Sequence, residues 1–130
     1  DGKGIRDFIY IDDAVEATIL ALESDNALNQ TFNVGTGIGT SIWDAAIQIS
    51  KSLEKEVVCN VTGNYRYGDI RHSLADIQKI KRELGFSPKY AFKDGLREFE
   101  KWVMTQDIRA EHSDASFSEN IKKGVLRIKN

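Results

Sequence analysis

Residues 5–22, Ile-Arg-Asp-Phe-Ile-Tyr-Ile-Asp-Asp-Ala-Val-Glu-Ala-Thr-Ile-Leu-Ala-Leu, decide the fold because they place a strand directly before an amphipathic helix. Residues 5–11 form a largely apolar run, which predicts a strand. Asp12 and Asp13 follow this run and predict the start of a helix. The side chains that follow recur at a spacing of three or four, which predicts one buried face of this helix: Val15, Thr18, Ile19 and Leu22.

Further strands and helices alternate along the chain. The pattern predicts, in order, a strand over 31–34, a helix that starts at Thr40 or Ser41, a strand over 57–59, a helix from Ser73 that ends at Gly85, and a helix over 93–105. Alternating strands and helices predict an α/β fold, here with few short strands and about four helices. Three short strands make a thin sheet, so we expect the opening strand to pair with an element outside this chain.

Composition restricts the class of protein. The 130 residues include 18 Lys and Arg against 20 Asp and Glu, a net charge of −2, which argues against nucleic acid or an anionic membrane as a partner. The single cysteine, Cys59, excludes a disulfide within the chain and a multi-cysteine zinc site, and favours a cytoplasmic location. No apolar stretch approaches the roughly 20 residues of a membrane span. Residues 1–105 are predicted to form the globular part, and 106–130 a polar tail that is either mobile or an appended helix and strand.

The glycine run at 35–39, Gly-Thr-Gly-Ile-Gly, stands between a predicted strand and a predicted helix. A dinucleotide-binding loop needs a glycine or alanine three positions after its second glycine, and Thr40 occupies that position. An acidic residue about 20 residues further on, at the end of the next strand, is also missing. We therefore interpret the run as a strand-to-helix turn.

Two arginine–aspartate pairs are candidates for binding an anionic ligand. Arg6 precedes Asp7 near the first strand, and Arg66 stands three residues before Asp69 in a polar loop with Gly68. Two guanidinium groups from separate segments suit a diphosphate, and a nearby carboxylate can accept hydrogen bonds from ribose hydroxyls. The residues by themselves leave the alternative open that these are surface charges in local ion pairs.

Four segments, in order, resemble motifs of one enzyme family. Residues 1–17 resemble its DGxxxRDFxxVxDxxxA segment, and 32–41 its FNVGTGxxTS segment; residues 66–76 match RxGDxRHSxAD, and 84–102 match LGFxPxxxxxxGLxxxxxW. The family is that of the extended short-chain dehydrogenases/reductases, more narrowly the NAD-dependent sugar-nucleotide epimerases and dehydratases. The tail from Gln106 matches no motif of this family.

The resemblance implies that the chain is the carboxyl-terminal, substrate-binding part of a Rossmann-type enzyme of this family. It implies that Arg6 and Arg66 hold the diphosphate of a nucleotide sugar and that Asp69 holds its ribose. Asn33 is a weaker assignment, which either contacts substrate or orders the loop after its strand. NAD would be bound by an amino-terminal part outside this chain, with none expected on this chain alone.

The family's catalytic pair is a Tyr-x-x-x-Lys, and none of the four tyrosines here has a lysine four residues on. The chain alone is therefore expected to be inactive, with no catalytic residue and no metal site. The resemblance implies a UDP-sugar 4-epimerase, with a homodimer left open as its assembly. Two alternatives are kept: a dTDP-sugar epimerase or dehydratase, and a stand-alone, non-catalytic module that binds a nucleotide or a protein. Many relatives have a proline near the second arginine, whereas this chain has Thr62-Gly63-Asn64-Tyr65.

Overall fold

The computed structural model describes residues 1–54, 56, 58–107 and 113–128. Short strands alternate with helices, so the α/β class predicted from sequence is confirmed. The described elements are β1 (Ile5–Asp7), α1 (Ile11–Glu23), a 3₁₀ turn (Asp25–Ala27), β2 (Gly39–Ser41), α2 (Ile42–Ser52), β3 (Tyr65–Arg66), β4 (His72–Ser73), α3 (Gln78–Leu84), α4 (Phe92–Val103), α5 (Ser113–Lys122) and β5 (Leu126–Arg127).

Strand β1 is the centre of a three-stranded sheet in the order β2-β1-β4. It pairs antiparallel with β2, where Arg6 lies opposite Thr40, and parallel with β4, where Arg6 lies opposite Ser73. Both edges of β1 are therefore occupied, and the expectation that it pairs outside the chain is wrong. A second, two-stranded sheet joins β3 to β5.

The apolar run at 5–11 is a strand only as far as Asp7. Beyond it, Phe8 and Tyr10 pack against aromatic side chains that precede and begin α4. The ring of Phe8 lies 5.0 Å from that of Phe92, and the ring of Tyr10 lies 4.6 Å from that of Tyr90. Ring packing rather than a ladder of backbone hydrogen bonds thus fixes this segment.

Other predicted strands also differ from the structure. Residues 31–34 are not a strand, because both edges of β1 are already paired. Lys79 contacts this segment instead. Its ammonium group donates a hydrogen bond to the Thr31 carbonyl at 2.9 Å and lies over the Phe32 ring. Of the predicted strand at 57–59, Val57 is outside the described residues, and residues 58 and 59 are not a strand. The helix predicted from Ser73 begins at Gln78 instead, since Ser73 belongs to β4.

Helix boundaries follow the capping signals more closely. The Ser41 hydroxyl accepts a hydrogen bond from the Asp44 amide at 2.9 Å, which confirms the predicted start of α2. Gly85 ends α3 with a φ of 68°, a left-handed conformation that favours glycine. The helix predicted over 93–105 is found as α4, shifted by one or two residues.

The core lies between α1 and α3. It is built from Ala17, Ile77, Ile80, Leu84 and Phe86, each at most 9% exposed. The predicted buried face of α1 is therefore wrong: Val15, Ile19 and Leu22 are exposed, because the opposite face, with Ala17, packs into the core.

Asp13 is fully buried beside this core and accepts hydrogen bonds from the Lys89 and Tyr90 amides, each at 3.0 Å. The prediction that Asp13 caps its own helix is therefore wrong. Its carboxylate instead fixes the segment before α4, and α1 starts after Tyr10 without a side-chain cap.

Candidate functional site

Arg6 lies at the middle of β1 and is held at three points. Its Nη1 donates to the carbonyl oxygens of Ile5 at 2.8 Å and Arg71 at 3.0 Å, and its Nη2 lies 3.2 Å from Asp69 Oδ1. The Arg6 side chain is 28% exposed. The guanidinium is therefore anchored by the backbone on one side and still reaches the surface on the other.

Asp69 and Arg66 stand at the two ends of one tight turn. The Asp69 amide donates to the Arg66 carbonyl at 3.2 Å, and Gly68 has a φ of 79°. Tyr67 does not share this positive φ, so the turn is of type II, which requires glycine or asparagine at its third position. The turn holds Arg66 within three residues of the carboxylate that Arg6 contacts.

The Arg66 backbone is fixed while its side chain is exposed. Arg66 lies opposite Leu126 in the β3–β5 pair, and the Tyr67 amide donates to the Val125 carbonyl at 2.8 Å. Among the described residues, the Arg66 guanidinium has no carboxylate within ion-pair distance. Arg66 is thus a cation on a constrained turn that is available to an anion from solution.

Asp7, next to Arg6 on β1, binds the glycine turn. Its Oδ1 accepts hydrogen bonds from the Thr36 amide at 2.8 Å and the Thr36 hydroxyl at 2.5 Å, and its Oδ2 accepts from the Gly37 amide at 2.9 Å and the Ala75 amide at 3.3 Å. Burial raises the pKa of the Asp7 carboxyl, but these hydrogen bonds lower it by more, so the pKa lies below its ordinary value. Asp7 therefore joins β1, the glycine turn and the segment after β4.

The glycine turn does not fit a dinucleotide. The amides of Thr36 and Gly37, which a pyrophosphate would need, already donate to Asp7. A Cβ on Gly35 would lie 2.5 Å from Asp7 Oδ2 and 2.6 Å from the Ala75 Cβ, so Gly35 is needed for close packing and not for a ligand. These contacts give the glycine run a structural role.

Asn33 makes its side-chain hydrogen bond outside the set of Arg6, Arg66 and Asp69. Its side chain is exposed and its Nδ2 donates to the Asp76 carbonyl at 3.4 Å. No hydrogen bond joins it to Arg6, Arg66 or Asp69 among the described residues. The structure thus brings together three of the four predicted site residues, while Asn33 fastens the loop that leads into the glycine turn.

The clamp, by which we mean Arg6, Arg66 and Asp69, lies on open surface. A cavity of about 380 Å³ lies between the glycine turn and the segment that leads into α4. Its walls include Phe8, Thr36 and Tyr90 but none of the clamp residues.

In the part of the chain that the structure describes, no group of three or more His, Cys, Asp or Glu residues could hold a metal ion. No helix in the same part is long and apolar enough to cross a membrane.

Comparison with known proteins identifies the family. Residues 1–99 match the family model described as GDP-mannose 4,6 dehydratase. The chain is 32% identical to dTDP-L-rhamnose 4-epimerase of Burkholderia thailandensis, over 79% of this chain and 28% of that protein. It is 36% identical to UDP-glucose 4-epimerase of Bacillus subtilis, over 78% of this chain and 30% of that protein. The crystal structure of UDP-glucose-4-epimerase from Stenotrophomonas maltophila, with bound NAD and formylated UDP-arabinopyranose, is similar with a TM-score of 0.71 and 32% identity, over 80% of this chain and 31% of that one.

The chain belongs to the NAD-dependent sugar-nucleotide epimerases and dehydratases of the extended short-chain dehydrogenase/reductase family. It spans about 30% of the length of the curated relatives that it matches.

Sequence reasoning missed the roles of Asp7 and Asp13. Both aspartates accept hydrogen bonds from backbone amides that lie more than 25 positions away in the chain. No local sequence pattern predicts such a partner. Asp13 lies on the face of α1 that carries Ala17 and Leu20, opposite the face predicted to be buried, so the predicted pattern did not indicate that its carboxylate needs a hydrogen-bond partner.

Proposed function

We propose that this chain is the carboxyl-terminal, substrate-binding part of an NAD-dependent UDP-sugar 4-epimerase. Arg6 and Arg66 neutralise the diphosphate of the nucleotide sugar, and Asp69 accepts hydrogen bonds from the ribose. The observation that carries the proposal is the contact between Arg6 Nη2 and Asp69 Oδ1 at 3.2 Å, because it joins the two sequence segments that would share one ligand.

The charges of the clamp are suited to a diphosphate. Arg66 has an exposed guanidinium without a carboxylate partner among the described residues. The Arg6 guanidinium donates hydrogen bonds to two backbone carbonyls through Nη1. Planar guanidinium groups form paired, charge-assisted hydrogen bonds with phosphate oxygens. Asp69 has one oxygen on Arg6, and its side chain is 57% exposed, so its second oxygen remains available to a ribose hydroxyl.

This clamp acts at a distance from the reacting carbon. Contacts to the nucleotide hold the sugar in one place, and such contacts to a non-reacting part of a substrate lower the entropic barrier to its reaction. NAD, bound outside this chain, would supply reversible hydride transfer at the sugar C4.

We also propose that the protein is located in the cytoplasm.

Catalysis requires groups that this chain lacks. The family's Tyr-x-x-x-Lys pair is absent, since none of Tyr10, Tyr65, Tyr67 and Tyr90 is followed by a lysine four residues on. In that pair, a nearby lysine brings the tyrosine pKa closer to neutrality so that the phenol can exchange a proton with substrate. We expect the 130 residues alone to bind nucleotide without converting a sugar.

A dTDP-sugar epimerase is the second candidate. The observation that favours it is the 32% identity to the dTDP-L-rhamnose 4-epimerase of Burkholderia thailandensis. The two nucleotides differ at the base, where thymine carries an extra methyl group, and at the ribose, where the deoxyribose offers Asp69 one hydroxyl fewer. Binding of UDP at least about 10-fold tighter than dTDP would support the UDP-sugar enzyme, and the reverse order would support the alternative.

The test is nucleotide binding to the complete protein, measured by isothermal titration calorimetry with UDP. Arg66→Ala should weaken UDP binding about 10- to 100-fold, because one charge-assisted contact to phosphate is lost. Arg82→Ala is the matched control, since Arg82 is an exposed arginine of α3 that pairs with its neighbour Glu83. Equal UDP affinity in both variants and the unchanged protein would contradict the clamp.

A further inference from the structure

Strand β5, near the carboxyl end of the described chain, holds the strand that carries Arg66. It pairs antiparallel with β3, and Arg66 lies opposite Leu126 in this pair. Among the described residues, β5 is the only strand that pairs with β3. The Tyr67 amide, one position after Arg66, donates to the Val125 carbonyl at 2.8 Å. The backbone around Arg66 is therefore held by the segment that contains β5.

A side-chain contact joins the same two strands. The Arg127 guanidinium lies over the Tyr67 ring, with its Cζ 5.7 Å from the ring centroid. A cation within about 6 Å of an aromatic ring is attracted to the face of that ring. Tyr67 stands between Arg66 and Gly68 in the turn of the clamp. The segment thus contacts the clamp turn through both its main chain and a side chain.

The residues before Arg66 impose little order on the backbone by themselves. Residues 62–65, Thr-Gly-Asn-Tyr, include no proline, and Gly63 has a φ of 77°. Glycine gives the backbone a wide choice of conformations, and an isolated pair of strands is only marginally stable in water. The position of Arg66 therefore depends on how firmly β5 itself is fixed.

Strand β5 is fixed by the end of α5. The Gly124 amide donates to the Ile121 carbonyl at 2.9 Å, and the Val125 amide donates to the Asn120 carbonyl at 3.0 Å. Gly124 has a φ of 68°. These two hydrogen bonds and the left-handed glycine form a Schellman motif, which ends a helix and sets the direction in which the chain leaves it. Gly124 thus directs the chain from α5 into β5.

Helix α5 and strand β5 lie outside the part of the chain that identifies the family. The family model matches residues 1–99, whereas these two elements lie between residues 113 and 127. The three clamp residues lie inside the match. Arg66 is thus held by a segment to which the family resemblance assigns no function.

We infer that α5 and β5 position Arg66 for the diphosphate, with Gly124 as the positioning residue. This inference rests on the proposed function, which assigns Arg66 to the diphosphate. An arginine on a fixed backbone loses less conformational freedom on binding phosphate than an arginine on a mobile loop, so the same contact gives tighter binding. Loss of the β3–β5 pairing therefore weakens binding of a nucleoside diphosphate although Arg66 itself is unchanged.

The test is to strain the Schellman motif in the complete protein and to measure UDP binding by isothermal titration calorimetry. Gly124→Val places a β-branched residue at a left-handed φ, which such residues rarely adopt. Gly85→Val is the matched control, because Gly85 ends α3 with the same φ of 68° and also has open space where a Cβ would lie. We expect Gly124→Val to weaken UDP binding about 5- to 10-fold and Gly85→Val to weaken it less than about 2-fold.

Two more variants show whether the loss acts through Arg66. In combination with Arg66→Ala, Gly124→Val should weaken UDP binding by less than about a further 2-fold, because the group that it positions is already gone. Gly124→Asn should keep the UDP affinity within about 2-fold of the unchanged protein, because asparagine tolerates a left-handed φ. An unchanged UDP affinity in Gly124→Val, or an equal loss with and without Arg66, would overturn the inference.

Hydrogen exchange of the unchanged protein decides the matter if Gly124→Val does not fold. Ligand binding and strand pairing favour each other reciprocally. UDP should therefore slow amide exchange in residues 124–128 at least about 3-fold, although this segment lies outside the clamp. An exchange rate in this segment that UDP leaves unchanged would count against the positioning role.

The Arg66→Ala variant separates this inference from the proposed function. If Arg66→Ala weakens UDP binding and Gly124→Val does not, only the positioning role of α5 and β5 fails. If Arg66→Ala leaves the UDP affinity unchanged, the proposed function fails and the positioning role fails with it.

Discussion

Arg6 Nη2 and Asp69 Oδ1 lie 3.2 Å apart although 63 positions separate the two residues in the chain. The pair forms because β4 runs parallel to β1 and brings the end of the polar loop beside Arg6. An exposed ion pair of this kind contributes less than about 1 kcal/mol to stability, so a role of the pair in folding can be tested separately from the proposed role in ligand binding.

Asp69→Ala separates these two roles. We expect the free energy of unfolding to fall by less than about 1 kcal/mol, because the Asp69 side chain is 57% exposed. UDP affinity should fall about 10-fold, and the preference for UDP over 2′-deoxy-UDP should disappear with the ribose contact. Urea unfolding and calorimetric titration of the complete protein measure the two quantities. A large loss of stability with unchanged affinity would assign Asp69 a structural role only.

Asp7→Asn tests the link between β1 and the glycine turn. Asparagine keeps the size of the side chain but replaces one acceptor oxygen with an NH₂ group. This NH₂ group would face a backbone N–H of the glycine turn or of Ala75, so two donors would meet and a hydrogen bond would be lost. We expect a loss of about 1–3 kcal/mol in the free energy of unfolding. Asp12→Asn is a suitable control because Asp12 is exposed in the first turn of α1. Similar losses in the two variants would argue against a special role for Asp7.

The pH dependence of stability should contain a contribution from Asp7. Its pKa is lowered in the folded protein by the hydrogen bonds from Thr36, Gly37 and Ala75, which outweigh the effect of burial. A lowered pKa stabilises the fold above the carboxyl's ordinary value of 3.8, and that contribution is lost as the pH falls through the folded pKa. Between pH 6 and pH 3, the unchanged protein should therefore lose more stability than Asp7→Asn. Equal losses in the free energy of unfolding of the two proteins between pH 6 and pH 3 would contradict the assignment.

Asp13→Ala should be the most destabilising of these changes. It leaves the part-buried amides of Lys89 and Tyr90 without their acceptor, and it leaves a space where the fully buried Asp13 side chain lay. We expect a loss of about 2–5 kcal/mol, against less than about 1 kcal/mol for Glu16→Ala, whose carboxylate forms an exposed ion pair with Lys89 Nζ. Thermal unfolding of the complete protein compares the two. Similar melting temperatures would contradict the role assigned to Asp13.

The sequence predicts well those features that depend on neighbouring residues. Ser41 with Asp44, and Gly85, mark helix ends through hydrogen bonds or dihedral angles that span a few positions, and both were predicted correctly. Residues 31–34 have the composition of a strand, but the edges of β1 are occupied by β2 and β4, so no ladder is available to them. Whether an extended segment joins a sheet is decided by distant segments, and a local pattern carries no information about them.

The same distinction applies to the clamp. Arg66 and Asp69 share a turn that Gly68 makes possible, and this arrangement can be read from four consecutive residues. The contact between Arg6 and that turn depends on the parallel pairing of β1 with β4, which no spacing predicts. The resemblance to the family predicted all three residues as one set, and their role in binding a ligand stays a prediction.

The central position of β1 has a consequence for synthesis on the ribosome. The antiparallel partner, β2, ends at Ser41, whereas the parallel partner, β4, begins at His72. At about 5–20 residues per second, the nascent chain carries β1 with one unpaired edge for roughly two to six seconds. An unpaired strand edge can form backbone hydrogen bonds with another chain. Slow translation of residues 42–72 should therefore increase aggregation of the nascent protein.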